Sequence, residues 1–176
     1  MAHESQRNFI IQTKSNLPSS FDDVKVLEVG SGNINGTVRD FFTNAKTYIG
    51  LDLAPGNCVD VVCSGHLYDT TEIFDISIST ECFEHDPNWK ATFLNMIRLT
   101  KPEGLVVFTC ASYNRPEHGT KRTSPQDSLS SDFSDYYMNL GKKEFEEAFN
   151  MNELFTQYHF EEHESPSDLY FWGLKK

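Results

Sequence analysis

The sequence predicts an α/β domain organised as a doubly wound sheet, mostly parallel with one reversed strand. Three observations lead there. Apolar runs of strand length alternate with helical or turn-rich segments from Val24 to Cys110. Within them, Val26-Leu27-Glu28-Val29-Gly30-Ser31-Gly32 reads as a buried strand and a glycine turn opening a helix, and Ile49-Gly50-Leu51-Asp52 as a second strand ending in an acid. Two further strand-like runs, separated by Ser165-Pro166-Ser167-Asp168, have the pattern of an antiparallel pair.

Taken in order, Glu4 to Thr13 is a short helix with Phe9 and Ile10 as its apolar side, and Leu17 to Asp23 a loop. Val24–Val29 is the first strand, Thr37–Phe42 a short helix after the glycines, and Thr47–Leu53 the second strand. Only Ala54-Pro55-Gly56-Asn57 separates it from a third strand at Cys58–Cys63, too little for a helix. Phe74–Ser79 alternates apolar and polar residues and is the fourth strand. Asp86-Pro87-Asn88 starts a helix, since proline is tolerated in a first turn, and Trp89, Phe93, Met96 and Ile97 recur at helical spacing as core residues. Lys101-Pro102-Glu103-Gly104 ends that helix, and Leu105–Cys110 is a buried fifth strand. Residues 111–135 form a serine-rich polar stretch with Pro116 and Pro125, of a length that in compact domains marks a functional loop or a disordered one. Lys142–Phe149 is helical, and Phe155–Glu162 with Leu169–Leu174 make the closing pair.

At 176 residues the chain fits one domain, residues 1–176, with 111–135 as a loop or lid. A formal net charge of -11 argues against nucleic-acid binding, which draws on a basic face. The polar N-terminus and the lack of a long apolar run predict no membrane span and a cytoplasmic location. Cys58, Cys63, Cys82 and Cys110 show no paired spacing, so free thiols are expected and no metal.

The glycine turn places a nucleoside-containing ligand at the carboxyl edge of the sheet. A dinucleotide fingerprint would need its third glycine at position 35, which is Asn35; Gly36 lies one residue beyond. As E-x-G-x-G the motif is intact, with Gly30 and Gly32 free to turn and to approach a ligand closely. Glu28 would repel a pyrophosphate and suits a ligand with an ammonium group, which favours S-adenosylmethionine over NAD. Asp52 is placed to accept hydrogen bonds from ribose hydroxyls.

The segments VLEVGSG at Val26, YIGLDLAPG at Tyr48, VDVVCSGH at Val59, FDISISTECFEH at Phe74 and RLTKPEGLVVFT at Arg98 resemble the class I S-adenosylmethionine-dependent methyltransferases, in the small bacterial single-domain form. The likeness spans residues 24–110. It implies a Rossmann-like seven-stranded sheet of order 3-2-1-4-5-7-6, with Glu28, Gly30 and Gly32 at the methionine part of the cofactor and Asp52 at the ribose. It implies cofactor contacts from Ser64, Gly65 and His66, and from Glu81 after the fourth strand. Two departures stand out: Ser64 occupies a position that in this family usually carries an acid, and the helix that normally follows the second strand is missing.

Glu84 and His85 follow the fourth strand, where transferred-methyl chemistry takes place in such enzymes. Either is a candidate base for a hydroxyl acceptor, or the pair braces the helix beginning near Asp86. His118, Arg122 and Tyr137 are the candidate acceptor contacts of the long polar stretch. The reading is therefore methyl transfer to an oxygen of a small or medium polar acceptor, sugar-like or another small metabolite. Its alternative is a catalytically silent S-adenosylmethionine-binding regulatory or scaffold subunit.

Overall fold

Seven strands make a single sheet in the computed structural model, which describes residues 3–176. They are β1 (Lys25–Val29), β2 (Thr47–Asp52), β3 (Val61–Val62), β4 (Phe74–Thr80), β5 (Thr100–Ala111), β6 (Phe155–His163) and β7 (Asp168–Lys175). Their order is β3-β2-β1-β4-β5-β7-β6, and β7 alone runs against its neighbours β5 and β6, as the sequence predicts. Four helices accompany them: α1 (Glu4–Asn16), α2 (Trp89–Leu99), α3 (Lys142–Ala148) and α4 (Met151–Leu154).

One face of the sheet is covered by α2 and α3. The rings of Phe108 and Phe145 stack at 4.5 Å, those of Phe108 and Phe171 at 4.9 Å, and Phe93 packs edge-on against Phe108 at 5.6 Å. Trp89, Phe93, Met96 and Ile97 all point into this core, as their spacing predicts. The opposite face carries Val26, Ile76, Ile78, Leu105 and Val107, and is covered by α1 through Phe9 and Ile10. Phe9 stacks on Tyr170 at 5.0 Å, while Phe21 and Phe42, stacked at 5.0 Å, fill the end nearer β1.

Four elements differ from the sequence reading. Thr37–Phe42 is not an α-helix but a single 3-10 turn, Val38–Phe41, because the chain folds tightly at residues 33–36 and must reach β2 within a few residues. The third strand shrinks from Cys58–Cys63 to Val61–Val62. Val59 N–H bonds to Gly56 O in a turn. Asp60 N–H still donates to Gly50 O at 2.8 Å, but the Asp60 side chain takes the Gly50 N–H at 2.7 Å in place of a strand carbonyl, so regular pairing begins only at Val61. Lys101 to Gly104 does not separate helix from strand: β5 begins at Thr100, directly after α2. Thr100 pairs with Phe74, and the register is restored at Leu105 opposite Ile76 across an irregularity in which Glu103 takes φ 62°. Helix α4 lies in a segment read as connection.

All four cysteines are free thiols. No helix among the described residues is long and apolar enough to cross a membrane.

Candidate active site

The carboxyl ends of β1, β2 and β4 open into one cavity enclosing about 940 Å³, part of it open to solvent. Strand crossover directions reverse here, since β2 lies on one side of β1 and β4 on the other, and ligands bind outside such a point. The walls are Glu28 to Gly32 from the first turn, Leu51 to Leu53 from the second strand, Cys63 to Gly65, and Thr80 to Cys82.

The first turn is held by its neighbours. It is tied to β2 by the N–H groups of Gly30 and Ser31, which both donate to Leu51 O at 2.9 Å. Gly30 takes φ +78°, and a Cβ there would lie 2.6 Å from Cβ and 2.7 Å from Sγ of Cys82. The turn therefore needs glycine on both conformational and steric grounds. Asp52 is bound into the same turn: its Oδ2 accepts the Gly32 N–H at 3.0 Å and its Oδ1 the Leu53 N–H at 2.7 Å. Burial raises its proton affinity, and these amides oppose that rise.

Glu28 is 2% exposed and accepts a hydrogen bond from the Tyr48 hydroxyl at 2.7 Å. Burial pushes its carboxyl up to about 8, against the smaller opposing effects of that bond and of Arg39. Glu81 anchors to β5, its Oε1 accepting from Thr109 Oγ1 at 2.8 Å, and it takes φ 51°. The acids lining the cavity are Glu28, Asp52, Glu81, Asp86 and Asp127, while no lysine or arginine lines it among the described residues. Such a wall repels a pyrophosphate and attracts a cation.

Of the residues predicted to bind a cofactor, Glu28, Gly30, Gly32, Asp52, Ser64, Gly65 and Glu81 all line this cavity. His66 does not; its Nδ1 shares a 2.7 Å hydrogen bond with Ser64 Oγ, and so steadies the loop. Asn95 of α2 holds that loop too, donating to Gly65 O at 2.7 Å and Tyr68 O at 2.8 Å.

His85 also lines the cavity, whereas Glu84, His118, Arg122 and Tyr137 lie outside its walls. Three of these five nevertheless meet. The rings of His85, His118 and Tyr137 form a triangle with all three centroid separations at 5.3 Å. The extended strap that carries Tyr137 is fixed just beyond it, Met138 N–H bonding to Glu84 O at 2.8 Å and Leu140 N–H to Ala111 O at 2.9 Å. Burial, then the neighbouring His118, pulls His85 down to about 3, leaving it neutral. Glu84 is fully buried beneath the triangle; burial and the nearby Glu81 push its carboxyl up. The amides of Glu84 and Ala111 pull the other way, yet neither side-chain oxygen acquires a hydrogen-bond partner. Arg122 is exposed and joins Glu117 at 3.0 Å and Asp135 at 2.7 Å, stapling the polar segment to itself.

That polar segment supplies walls the sequence did not reveal. Asp127 to Ser130 border the cavity, and Leu129 Cδ1 is so placed that a Cβ on Gly32 or on Gly56 would meet it at 2.4 Å. The available signal was Leu129 itself, one apolar residue between Ser128 and Ser130 in a polar run. Ile34 to Val38 also contribute, with no local motif to announce them.

No protein-family model matches the sequence, and no curated protein matches it. Solved structures do. An S-adenosylmethionine-dependent methyltransferase from Clostridium acetobutylicum superposes with a TM-score of 0.68 at 10% identity, over 96% of this chain and 90% of that one. The N-methyltransferase NodS from Bradyrhizobium japonicum, in complex with S-adenosylhomocysteine, gives 0.62 at 14% identity, over 97% and 86%. The 1,6-didemethyltoxoflavin-N1-methyltransferase of Burkholderia thailandensis, with its namesake compound and S-adenosylhomocysteine bound, gives 0.61 at 13% identity, over 100% and 92%. At these identities the likeness establishes a shared fold, that of the class I S-adenosylmethionine-dependent methyltransferases.

Proposed function

We propose that this chain, having that fold, is an S-adenosylmethionine-dependent methyltransferase acting on a small polar acceptor, at oxygen. The observation that carries the reading is the cavity itself. A glycine turn that tolerates no Cβ, an aspartate at the end of the adjacent strand and a wall of acids without a basic residue meet at the sheet's topological switch point. The fit favours a cationic nucleoside over a dinucleotide, and the cofactor supplies an electrophilic methyl group when bound.

Gly30 and Gly32, without a Cβ, let the ligand approach the turn closely. Glu81 provides negative charge for its amino-acid part, while Glu28, held protonated by burial, provides a hydrogen-bonding group. Asp52, already ordered by two amides, accepts from ribose hydroxyls without further reorganisation. Ser64 and Gly65 face the base. His85, on the wall toward His118 and Tyr137, marks the side from which the acceptor approaches, with Glu84 beneath it. Positioning of the acceptor oxygen in line with the methyl–sulfur bond is the main contribution asked of the protein. Residues 111–135 act as a lid, since Asp127 to Ser130 already stand at the cavity rim. Nothing in the site favours the silent-subunit alternative.

Calorimetry with S-adenosylhomocysteine, S-adenosylmethionine and NAD tests the reading. The adenosyl ligands bind, and Asp52→Ala weakens them by about 1–3 kcal/mol, the scale of lost charge-assisted hydrogen bonds. Binding of NAD alone, or unchanged affinity in a folded Asp52→Ala variant, overturns it.

A further inference from the structure

Glu84, His85 and His118 form a cluster beside the cavity for a nucleoside ligand, which His85 alone of the three lines. One carboxylate oxygen of Glu84 and one ring nitrogen of each histidine lie within 4.8 Å of one another. Glu84 is 0% exposed, and both of its oxygens are without a hydrogen-bond partner. His118 is 9% exposed, and its Nε2 is likewise buried and unpartnered. Its other nitrogen, Nδ1, lies 3.0 Å from Pro116 O and 3.3 Å from the Tyr137 hydroxyl, which itself donates to Pro116 O. The nearer carbonyl favours the tautomer in which Nδ1 carries the proton. Nε2 is then a bare lone pair.

Among the described residues, the interior thus gathers electron-pair donors for which only the backbone amides of Glu84 and Ala111 stand near the carboxyl, and no side-chain hydrogen meets Glu84 or Nε2 of His118. Leaving such groups unsatisfied is strongly unfavourable, because burial has already removed their water. A metal cation resolves all of them at once. The second histidine nitrogen held by a backbone carbonyl is also the usual support of a metal-ligating imidazole, since it fixes tautomer and ring orientation together.

We propose that Glu84, His85 and His118 bind a divalent first-row transition-metal ion. Two imidazoles and a carboxylate suit zinc, manganese, cobalt or iron, whereas magnesium and calcium prefer all-oxygen sets. Tetrahedral metal–ligand bonds of about 2.1 Å place two donors about 3.4 Å apart, so the widest pair of the cluster closes by up to about 1.4 Å on binding. Gly119 permits that approach: it takes φ +62°, and a Cβ on it would stand 2.9 Å from Cε1 of His85.

Three protein ligands leave coordination positions open, and His85 borders the cavity, so those positions face the acceptor side. The role, though not the binding, rests on the methyl-transfer reading. The ion selects an acceptor hydroxyl with a second oxygen beside it, as in a vicinal diol or a 2-hydroxycarboxylate, and polarises that hydroxyl. The hydroxyl proton leaves to solvent, the oxygen's electron pair forms the bond to the methyl carbon, and the sulfur keeps the pair of the broken S–C bond.

The test uses the whole chain, treated with chelator and then titrated with Zn²⁺ or Co²⁺ by calorimetry and visible absorption. One equivalent binds and raises the melting temperature. Glu84→Gln and His118→Ala, each checked for a cooperative melt, lower the affinity at least about tenfold. X-ray absorption of the zinc-loaded wild type shows two imidazole ligands, which keeps the test independent of either variant's folding. Absence of stoichiometric binding, a ligand shell without imidazole, or unchanged affinity in a folded variant overturns the proposal. S-Adenosylhomocysteine is titrated into the same metal-free samples. Its binding without metal uptake defeats the metal site alone, and metal uptake without it defeats the cofactor reading alone.

Discussion

Replacing Glu28 by glutamine should make the protein more stable in alkali, and the magnitude follows from where this carboxyl sits. Its proton affinity rises from the ordinary 4.5 to about 8 on burial. A group whose folded value is raised binds more protons folded than unfolded between those two limits, so stability is full below pH 4.5 and falls as pH rises to about 8. At about 1.36 kcal/mol per unit the whole loss is about 5 kcal/mol, of which about 3–4 kcal/mol falls between pH 5 and 8. A glutamine in place of the acid keeps an oxygen to accept the Tyr48 hydroxyl and removes the titration. Urea denaturation of wild type and Glu28→Gln at pH 5, 6, 7 and 8 measures the difference directly. The two stability curves should diverge by about 3–4 kcal/mol across that range, the wild type falling faster. Parallel curves would show that Glu28 is ionised in the folded protein and that burial has not shifted it.

Gly30→Val should cost at least about 1–3 kcal/mol of stability, because any side chain there strikes Cys82 and opposes φ +78°, and a folded remnant should fail to bind S-adenosylhomocysteine; a normal melt with normal binding would refute the turn's role. In the lid, limited proteolysis should cut between Ser124 and Ser131 in the free protein and more slowly with S-adenosylhomocysteine bound, and Leu129→Ser should speed both cleavage and ligand release. Equal cleavage with and without ligand would leave the segment a plain surface loop.

How legible these features were in sequence depended on how local their causes are. The strand order and the glycine turn rest on short-range patterns: continuous apolar runs, two glycines and an acid at a strand end, and seven of the eight residues predicted to bind a cofactor line the cavity. The elements that departed from expectation did so because a distant partner decided them. The Asp60 side chain takes the Gly50 N–H in place of a strand carbonyl. Thr100 joins the fifth strand because Phe74 offers it a partner, with Lys101 to Gly104 bulging out before Leu105 pairs with Ile76. The meeting of His85 with His118 and Tyr137 had no periodic signature at all. It is set by the strap from Met138 to Leu140, which bonds to Glu84 and Ala111 from far along the chain. Arg122 looked like a ligand contact by residue type, and its acidic neighbours Glu117 and Asp135 took it instead.

The packing of α1 against β7 has a consequence for how the protein is made. Synthesis delivers α1 before any strand of the sheet, yet Tyr170, on which Phe9 stacks, arrives only with β7. Until then the helix has an incomplete seat, and β1, β4 and β5 present Val26, Ile76, Ile78, Leu105 and Val107 on a poorly covered face. The nascent chain therefore carries a sticky sheet surface from the completion of β5 until β7 arrives, and closure depends on joining segments distant in the chain. Such closure is slow, and chain-binding chaperones compete with aggregation for the same apolar face while it is pending.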